Sequence, residues 1–370
     1  MNYQCSACEK KHSLEEKIFR CNCGGFLQVE GARIFPLREL QNRDLTIWRY
    51  QEAFGLPPEV QPVSLGEGRT PLLKRTVSDG EVYFKLDFLQ PSGSFKDRGA
   101  SVLISLVRWL GVSQVVEDSS GNAGAALSAY SAAAGIGCNV YVPEYTPEGK
   151  LVQIRLYNAK VVKVPGKRQD ANRAVIDASR HTYYASHLWN PFFVMGLTSA
   201  AFEIWEDLGG ETPPVVALPV GSGGFLEGLF LGFNALAEAG YCRDIPRIVG
   251  IQAEKCPPIH RAYQEGLEDF VEMEVDVTVA EGIAVQRPPR AMAVLEAIRK
   301  SGGYTVSVTD EEILSALKVL FSMGLYVEPT SAAVLAGWMK MKPEDRSGAV
   351  LILTGSGLKE TEKLRKLYSG

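Results

Sequence analysis

The sequence predicts an α/β protein. Two three-layer α/β domains with mainly parallel sheets and a cleft between them are expected, behind a small cysteine-rich module at the N-terminus. Three observations carry this. Short apolar runs alternate with helix-period segments from about residue 80 to the end. Such runs suit parallel sheets covered on both faces, and there are enough of them for two sheets. The chain has 370 residues, enough for two domains and a small extra module. The expected boundaries are 1–30 for the module, 31–100 with 195–370 for a large domain, and 101–194 for a small one.

Residues 1–30 carry Cys5 and Cys8, then Cys21 and Cys23 followed by Gly24-Gly25. Two close cysteine pairs flanking a hairpin-length segment can set four thiolates around one tetrahedral Zn²⁺, as in a zinc ribbon. The second pair has one spacer residue where two are commoner; the alternative is four free thiols in a leader. Four cysteines would close the metal's shell, so any Zn²⁺ here is structural. Residues 35–75 read as irregular, with prolines at 36, 57, 58, 62 and 71.

Strands are then expected at 82–88, 114–118, 138–143, 159–165, 182–188, 214–220, 247–253, 304–308 and 349–355. Helices are expected at 97–110, 122–135, 147–157, 168–180, 197–208, 225–239, 290–300, 310–322, 330–340 and 358–367. No internal repeat or low-complexity tract interrupts them.

Composition narrows the function. Hydrophobic residues make up 46% and charged residues 22%, as in an ordinary soluble protein. The net charge is −4, from 39 basic and 43 acidic residues, so no nucleic-acid partner is expected. The start, MNYQCSACEKKHS, lacks an apolar core, so no secretory leader is expected. Residues 119–143 are uncharged, but they are rich in Ser, Gly and Ala and hold Asn122 and Asn139. They read as a buried helix and strand, not a membrane span. Seven cysteines, four of them within the first 23 residues, suit a reducing cytoplasm better than a disulfide framework.

Four turns carry candidate chemistry, each following a strand. Open α/β sheets bind ligands at such strand ends. PSGSFKDRG (91–99) places Lys96 at a helix start. A lysine there is usually solvated; held in a cleft, its amine can form a Schiff base with a carbonyl cofactor. SSGNAG (119–124) can cap a helix, or receive a carboxylate on backbone N–H groups while Asn122 bonds a cofactor hydroxyl. GSGG (221–224) is a turn or a phosphate cradle; it lacks a P-loop lysine and the dinucleotide spacing. LTGSGLK (353–359) offers the hydroxyls of Thr354 and Ser356 to a ring nitrogen, or is a capped turn. Together they supply an amine, a hydroxyl partner, a phosphate cradle and a ring-nitrogen partner, the set that pyridoxal phosphate (PLP) needs.

These motifs, with GEGRTPL (66–72), PVGSGG (219–224), EGIAV (281–285) and VEPTSAA (327–333), resemble the threonine synthase branch of fold-type II PLP enzymes, in the tryptophan synthase beta-like superfamily. The resemblance runs from about residue 64 to the end. It implies that Lys96 is the Schiff-base lysine and the base that moves protons at the substrate's α- and neighbouring carbons. It implies that Asn122 partners the cofactor's phenolic oxygen and that Gly221, Ser222, Gly223 and Gly224 cradle its phosphate, with the Phe225 N–H. Thr354 would face the pyridine nitrogen, with Ser356 nearby; a neutral hydroxyl there suits elimination and replacement more than transamination. Ser119, Ser120 and Gly121 would receive the substrate carboxylate, beside Ala123. Members are often homodimers, so a homodimer is expected.

The chain departs from the family where the substrate phosphate of O-phosphohomoserine is gripped. Ala123 stands where a Thr is usual. In SHLWNPFFVMGLTSAAFEI (186–204), Phe193 replaces an Arg, and Met195, Leu197 and Thr198 replace Glu, Gln and Lys. A buried phosphate without donors costs several kcal/mol at least. The expectation is therefore a threonine synthase-like enzyme with a different small amino-acid substrate; His187 and Trp189 either line the new pocket or belong to the core. A phosphate site rebuilt from Arg155, Arg168, Arg287 or Arg290 would make it a genuine threonine synthase. A serine/threonine dehydratase-like ammonia-lyase is the third reading, disfavoured by the LTGSGLK ending.

Overall fold

A computed structural model describes residues 2–31, 34–77 and 80–368. The chain opens with β1 (Asn2–Cys5), β2 (Lys11–Ser13), β3 (Leu27–Val29), β4 (Leu72–Val77) and β5 (Gly80–Lys85). There follow α1 (Lys96–Trp109), β6 (Gln114–Glu117), α2 (Asn122–Ala133), β7 (Gly137–Pro143), α3 (Glu148–Leu156), β8 (Lys160–Val164), α4 (Arg168–Ala178), β9 (Tyr183–Tyr184) and α5 (Pro191–Leu197). The rest is α6 (Ser199–Asp207), β10 (Val215–Pro219), α7 (Gly224–Glu238), β11 (Arg247–Ala253), α8 (Pro258–Gln264), α9 (Ala291–Lys300), β12 (Tyr304–Val308), α10 (Asp310–Ser322), α11 (Pro329–Lys340), β13 (Ala349–Ile352) and α12 (Thr361–Tyr368).

The chain folds as two compact α/β units, Met1–Gly68 with Lys96–Ser199, and Arg69–Phe95 with Ala200–Gly370. Residues 31–68 thus group with the first unit. Hydrogen bonds between residues far apart in sequence explain why: Trp48 Nε1 donates to Ser101 Oγ at 2.9 Å and Val63 N to Ser105 Oγ at 2.7 Å, both hydroxyls on α1.

The first unit holds a parallel sheet in the order β8-β7-β6-β9 and an antiparallel three-stranded sheet, β2-β1-β3, at the N-terminus. The second holds six strands in the order β12-β11-β10-β13-β5-β4, parallel except for β4, which runs antiparallel on β5. β10 and β13 lie inside that sheet and are buried along their whole length, which is why they read as unbroken apolar runs.

Two expected elements differ in form. The strand expected at 182–188 keeps only Tyr183–Tyr184, because the chain then turns, with Asn190 N donating to Ser186 O at 3.0 Å. The helix expected from 197 is preceded by α5, which starts at an N-cap and an N1 proline: Asn190 Oδ1 accepts from Phe192 N at 2.9 Å, and Pro191 follows it. β1, β2, β3, β4 and α8 had no counterpart in the expected elements.

Candidate functional site

In the first unit, Lys96 opens α1 and is half-buried. The helix is held by close approach and by charge. A Cβ on Gly99 would meet the Phe193 ring at 2.5 Å, and one on Gly196 the Arg98 carbonyl oxygen at 2.1 Å, so α1 and α5 touch only because both positions are glycine. Arg98 Nη1 donates to Ser199 Oγ at 3.0 Å. The fully buried Glu67 carboxylate, from the GEGRTPL motif, accepts from Trp48 Nε1 (3.0 Å), Ser101 Oγ (2.6 Å), Tyr130 OH (2.8 Å), Ser64 Oγ (3.1 Å) and Leu65 N (2.8 Å). Burial, then the neighbouring Asp97 and Glu67, raises the Tyr130 hydroxyl, so it stays a donor.

Ser119, Ser120 and Gly121 follow β6, and Asn122 and Ala123 begin α2. Ser119 Oγ accepts from Gly121 N at 3.3 Å. A Cβ on Gly124 would come within 1.9 Å of the Ser119 carbonyl oxygen, so the loop and the first helical turn are wrapped tightly together. Such a helix start favours an anion.

At the same edge of this sheet stands a pair that sequence reasoning saw only in half. Glu117 ends β6 with no exposure, and its Oε1 lies 2.6 Å from His187 Nδ1, just beyond the neighbouring β9. Glu117 Oε2 is buried without a hydrogen-bond partner. Burial, then Asp118, raises the Glu117 carboxyl well above the usual range; burial, then the Lys96 and Arg168 charges, lowers His187 well below its own. Both shifts favour the neutral form of each group. Next to them, Asp118 accepts from Tyr184 OH (2.7 Å) and Asn172 Nδ2 (2.9 Å). The acidic Glu117-Asp118 ending of an otherwise apolar strand was the available signal. Phe193, Met195 and Leu197 are buried on α5, with the Phe193 ring edge-on to His187 at 6.1 Å.

The second unit brings three of the four turns together. In the lysine turn, Phe95 N donates to Thr354 O at 3.0 Å, Ser356 N to Gly93 O at 3.0 Å, and Lys359 Nζ to Ser92 O at 2.9 Å. The Phe95 ring, on the residue before Lys96, stacks on Phe225 at 4.5 Å. Phe225 belongs to the first turn of α7, which follows Gly221, Ser222 and Gly223. A Cβ on Gly221 would meet the Gly282 carbonyl oxygen at 3.0 Å; Gly223 has φ +84, and its Cβ would meet Val294 Cγ2 at 2.2 Å. Arg290, at the start of α9, forks onto Glu227 of α7 at 2.6 and 2.7 Å, both buried, and fixes the two helices around this loop. Thr354 is buried with Ser331 Oγ at 3.2 Å, while Ser356 Oγ caps the next turn, accepting from Leu358 N at 3.3 Å. Ser94 Oγ is buried beside Gly355 without a partner.

Of the four arginines considered for a rebuilt phosphate site, Arg290 is committed to Glu227, Arg155 pairs with Glu148 at 3.5 Å and Arg287 with Glu272 at 3.0 Å on the surface. Arg168 is the one whose charge reaches Glu117 and His187. Trp189 is engaged elsewhere: its ring is 6.2 Å from Phe19 and lies under the Arg20 guanidinium at 5.8 Å.

In the N-terminal module, the Sγ atoms of Cys5, Cys8, Cys21 and Cys23 lie within 4.8 Å of one another. The Cys23 backbone N–H, then His12, holds the Cys21 thiol down to about 6. His12 lies 3.4 Å from that sulfur, and its other nitrogen is 2.8 Å from Glu16. Among the described residues, no helix is long and apolar enough to cross a membrane.

Comparison with known proteins shows the family and the fold. The family model described as "Pyridoxal-phosphate dependent enzyme" matches residues 63–355. A threonine synthase from Methanocaldococcus jannaschii is 37% identical, over 98% of this chain and 94% of that protein. One from Methanosarcina acetivorans is 35% identical, over 97% and 92%. Among solved structures, a threonine deaminase matches with a TM-score of 0.67 at 26% identity, over 78% of this chain and 92% of that one. Serine racemase from Dictyostelium discoideum matches with a TM-score of 0.65 at 27% identity, over 78% and 92%.

Proposed function

Because the chain belongs to the pyridoxal-phosphate dependent enzyme family, we propose that it performs elimination or replacement on a small amino acid, in the manner of threonine synthase but with a different amino-acid substrate. The observation that carries the cofactor's place is the meeting of the lysine turn, the 221–225 loop and Thr354 within one unit. The residues fit PLP: a cradle where Cβ atoms would collide, an unpartnered buried hydroxyl on Ser94, and a buried neutral hydroxyl on Thr354.

Each residue has a task. Gly221, Ser222, Gly223, Gly224 and the Phe225 N–H hold the phosphate at the start of α7. Thr354 faces the pyridine nitrogen, with Ser356 fixing the turn beside it, and Asn122 bonds the phenolic oxygen. Bound PLP acts as the electron sink for the substrate's α-carbon. Lys96 carries the cofactor and moves protons at the α- and neighbouring carbons. Ser119, Ser120 and Gly121 hold the substrate carboxylate at the start of α2, beside Ala123. The change of substrate rests on Phe193, Met195 and Leu197, buried apolar side chains where the family presents polar ones. The four cysteines hold one structural Zn²⁺.

A second reading, threonine synthase itself, is favoured by the named relatives and by Arg168, whose charge reaches the His187 pair. An assay with O-phospho-L-homoserine, following phosphate and threonine, separates the two, with L-serine and L-threonine run alongside for 2-oxo-acid formation. Product from another amino acid and none from phosphohomoserine supports the new substrate. Threonine with phosphate establishes the second reading instead. A cofactor spectrum unmoved by every amino acid would overturn both.

A further inference from the structure

We propose that Ser331 is a positioning residue that makes the hydroxyl of Thr354 a hydrogen-bond donor toward the cofactor's ring nitrogen. This rests on the reading above that Thr354 faces that nitrogen. Ser331 lies in the first turn of α11 with no solvent exposure. Its Oγ accepts from Gly355 N at 2.8 Å, is placed to donate to Gly355 O at 3.0 Å, and lies 3.2 Å from Thr354 Oγ1, where either hydroxyl could donate.

Proton counting decides the direction. A serine hydroxyl has one hydrogen and two lone pairs. Gly355 N–H occupies one lone pair, so the hydrogen goes either to Gly355 O or to Thr354 Oγ1. Given to Gly355 O, it would leave Ser331 only a lone pair for Thr354. Thr354 would then spend its own hydrogen on Ser331 and offer the ring nitrogen nothing but lone pairs. Gly355 O accepts from Glu328 N at 3.0 Å and so keeps a partner without that hydrogen. Given to Thr354 Oγ1, the hydrogen satisfies Thr354 as an acceptor and frees the Thr354 hydrogen for the ring. The chain then runs Gly355 N–H to Ser331 to Thr354 to ring nitrogen, each bond polarising the next. Glycine at 355 is part of the device: a Cβ there would meet the Glu328 carboxylate at 2.4 Å, forcing apart the turn and the start of α11. A donor at this point keeps the ring nitrogen unprotonated, the state suited to elimination and replacement.

The test uses holoenzyme loaded with PLP labelled with ¹⁵N in the ring, and compares wild type, Ser331→Ala and Thr354→Val. The readouts are the ¹⁵N chemical shift and the PLP dissociation constant. Wild type should show an unprotonated, hydrogen-bonded nitrogen. Ser331→Ala should move the resonance in the same direction as Thr354→Val and weaken PLP about three- to tenfold, the worth of one net hydrogen bond. A wild-type shift in Ser331→Ala, with a moved resonance in Thr354→Val, overturns the role of Ser331 and leaves the place of Thr354 standing. An unmoved resonance in both overturns the two together, as does a protonated ring nitrogen in wild type. Should Ser331→Ala not fold, Ser331→Cys keeps a weak donor and carries the same test with a smaller shift.

Discussion

Gly223 shows how a single residue constrains the proposed phosphate cradle. Its φ of +84 and the 2.2 Å approach of Val294 Cγ2 leave no room for a methyl group. Gly223→Ala is expected to cost about 1–2 kcal/mol in backbone strain alone and to weaken PLP by about tenfold or more, since each 1.4 kcal/mol is tenfold. Equilibrium dialysis against PLP and a thermal melt would show both; unchanged affinity would place the phosphate elsewhere. Lys96→Ala protein is expected to lack the visible band of lysine-bound cofactor, and a normal band in that variant would rule Lys96 out. At this scale the sequence was informative where the candidate chemistry sits in short contiguous motifs. PSGSFKDRG, GSGG and LTGSGLK were each visible alone, and the second unit joins them. Ser331 and Glu117 were not legible as site residues. Their partners, Thr354 and His187, lie 23 and 70 positions away and meet them only through tertiary contact.

Among the elements, the N-terminal module bears directly on α5 and β9. Tyr3 meets Phe192 at 5.8 Å, Phe19 meets Tyr184 at 5.1 Å, and Arg20 lies over Trp189. The module therefore braces the segment that carries His187 and Phe193. Metal analysis of protein made with zinc available is expected to give about one Zn²⁺ per chain, as for a tetrahedral four-cysteine site. Cys8→Ser should lower the melting temperature and raise amide exchange at 183–192; metal-free protein with unchanged exchange would contradict this. The long parallel strands and their helices were legible because a period of two or 3.6 persists over many residues. α5 was harder to see: it is seven residues long and buried all round, so no polar face marks its period. Its Asn190-Pro191 start was the usable signal.

Across the molecule, the chain passes between the two units at Gly68–Arg69, Phe95–Lys96 and Ser199–Ala200. Two α/β units were legible from the number of strands. The grouping of residues 31–68 was not, because it depends on side chains meeting across tens of residues. Glu67 is the clearest example, gathering donors from residues 48, 64, 65, 101 and 130. Glu67→Ala would strand several buried donors at about 1–3 kcal/mol each. Its unfolding free energy is expected to fall by at least about 3 kcal/mol, measurable by urea titration; a loss below about 1 kcal/mol would show that the network relaxes without it. The central claim is that this chain works through PLP carried on Lys96. The most direct measurement is borohydride reduction of the holoprotein followed by peptide mass mapping. The account predicts a phosphopyridoxyl group on the peptide containing Lys96 and on no other; the label on a different lysine, or none at all, would contradict it.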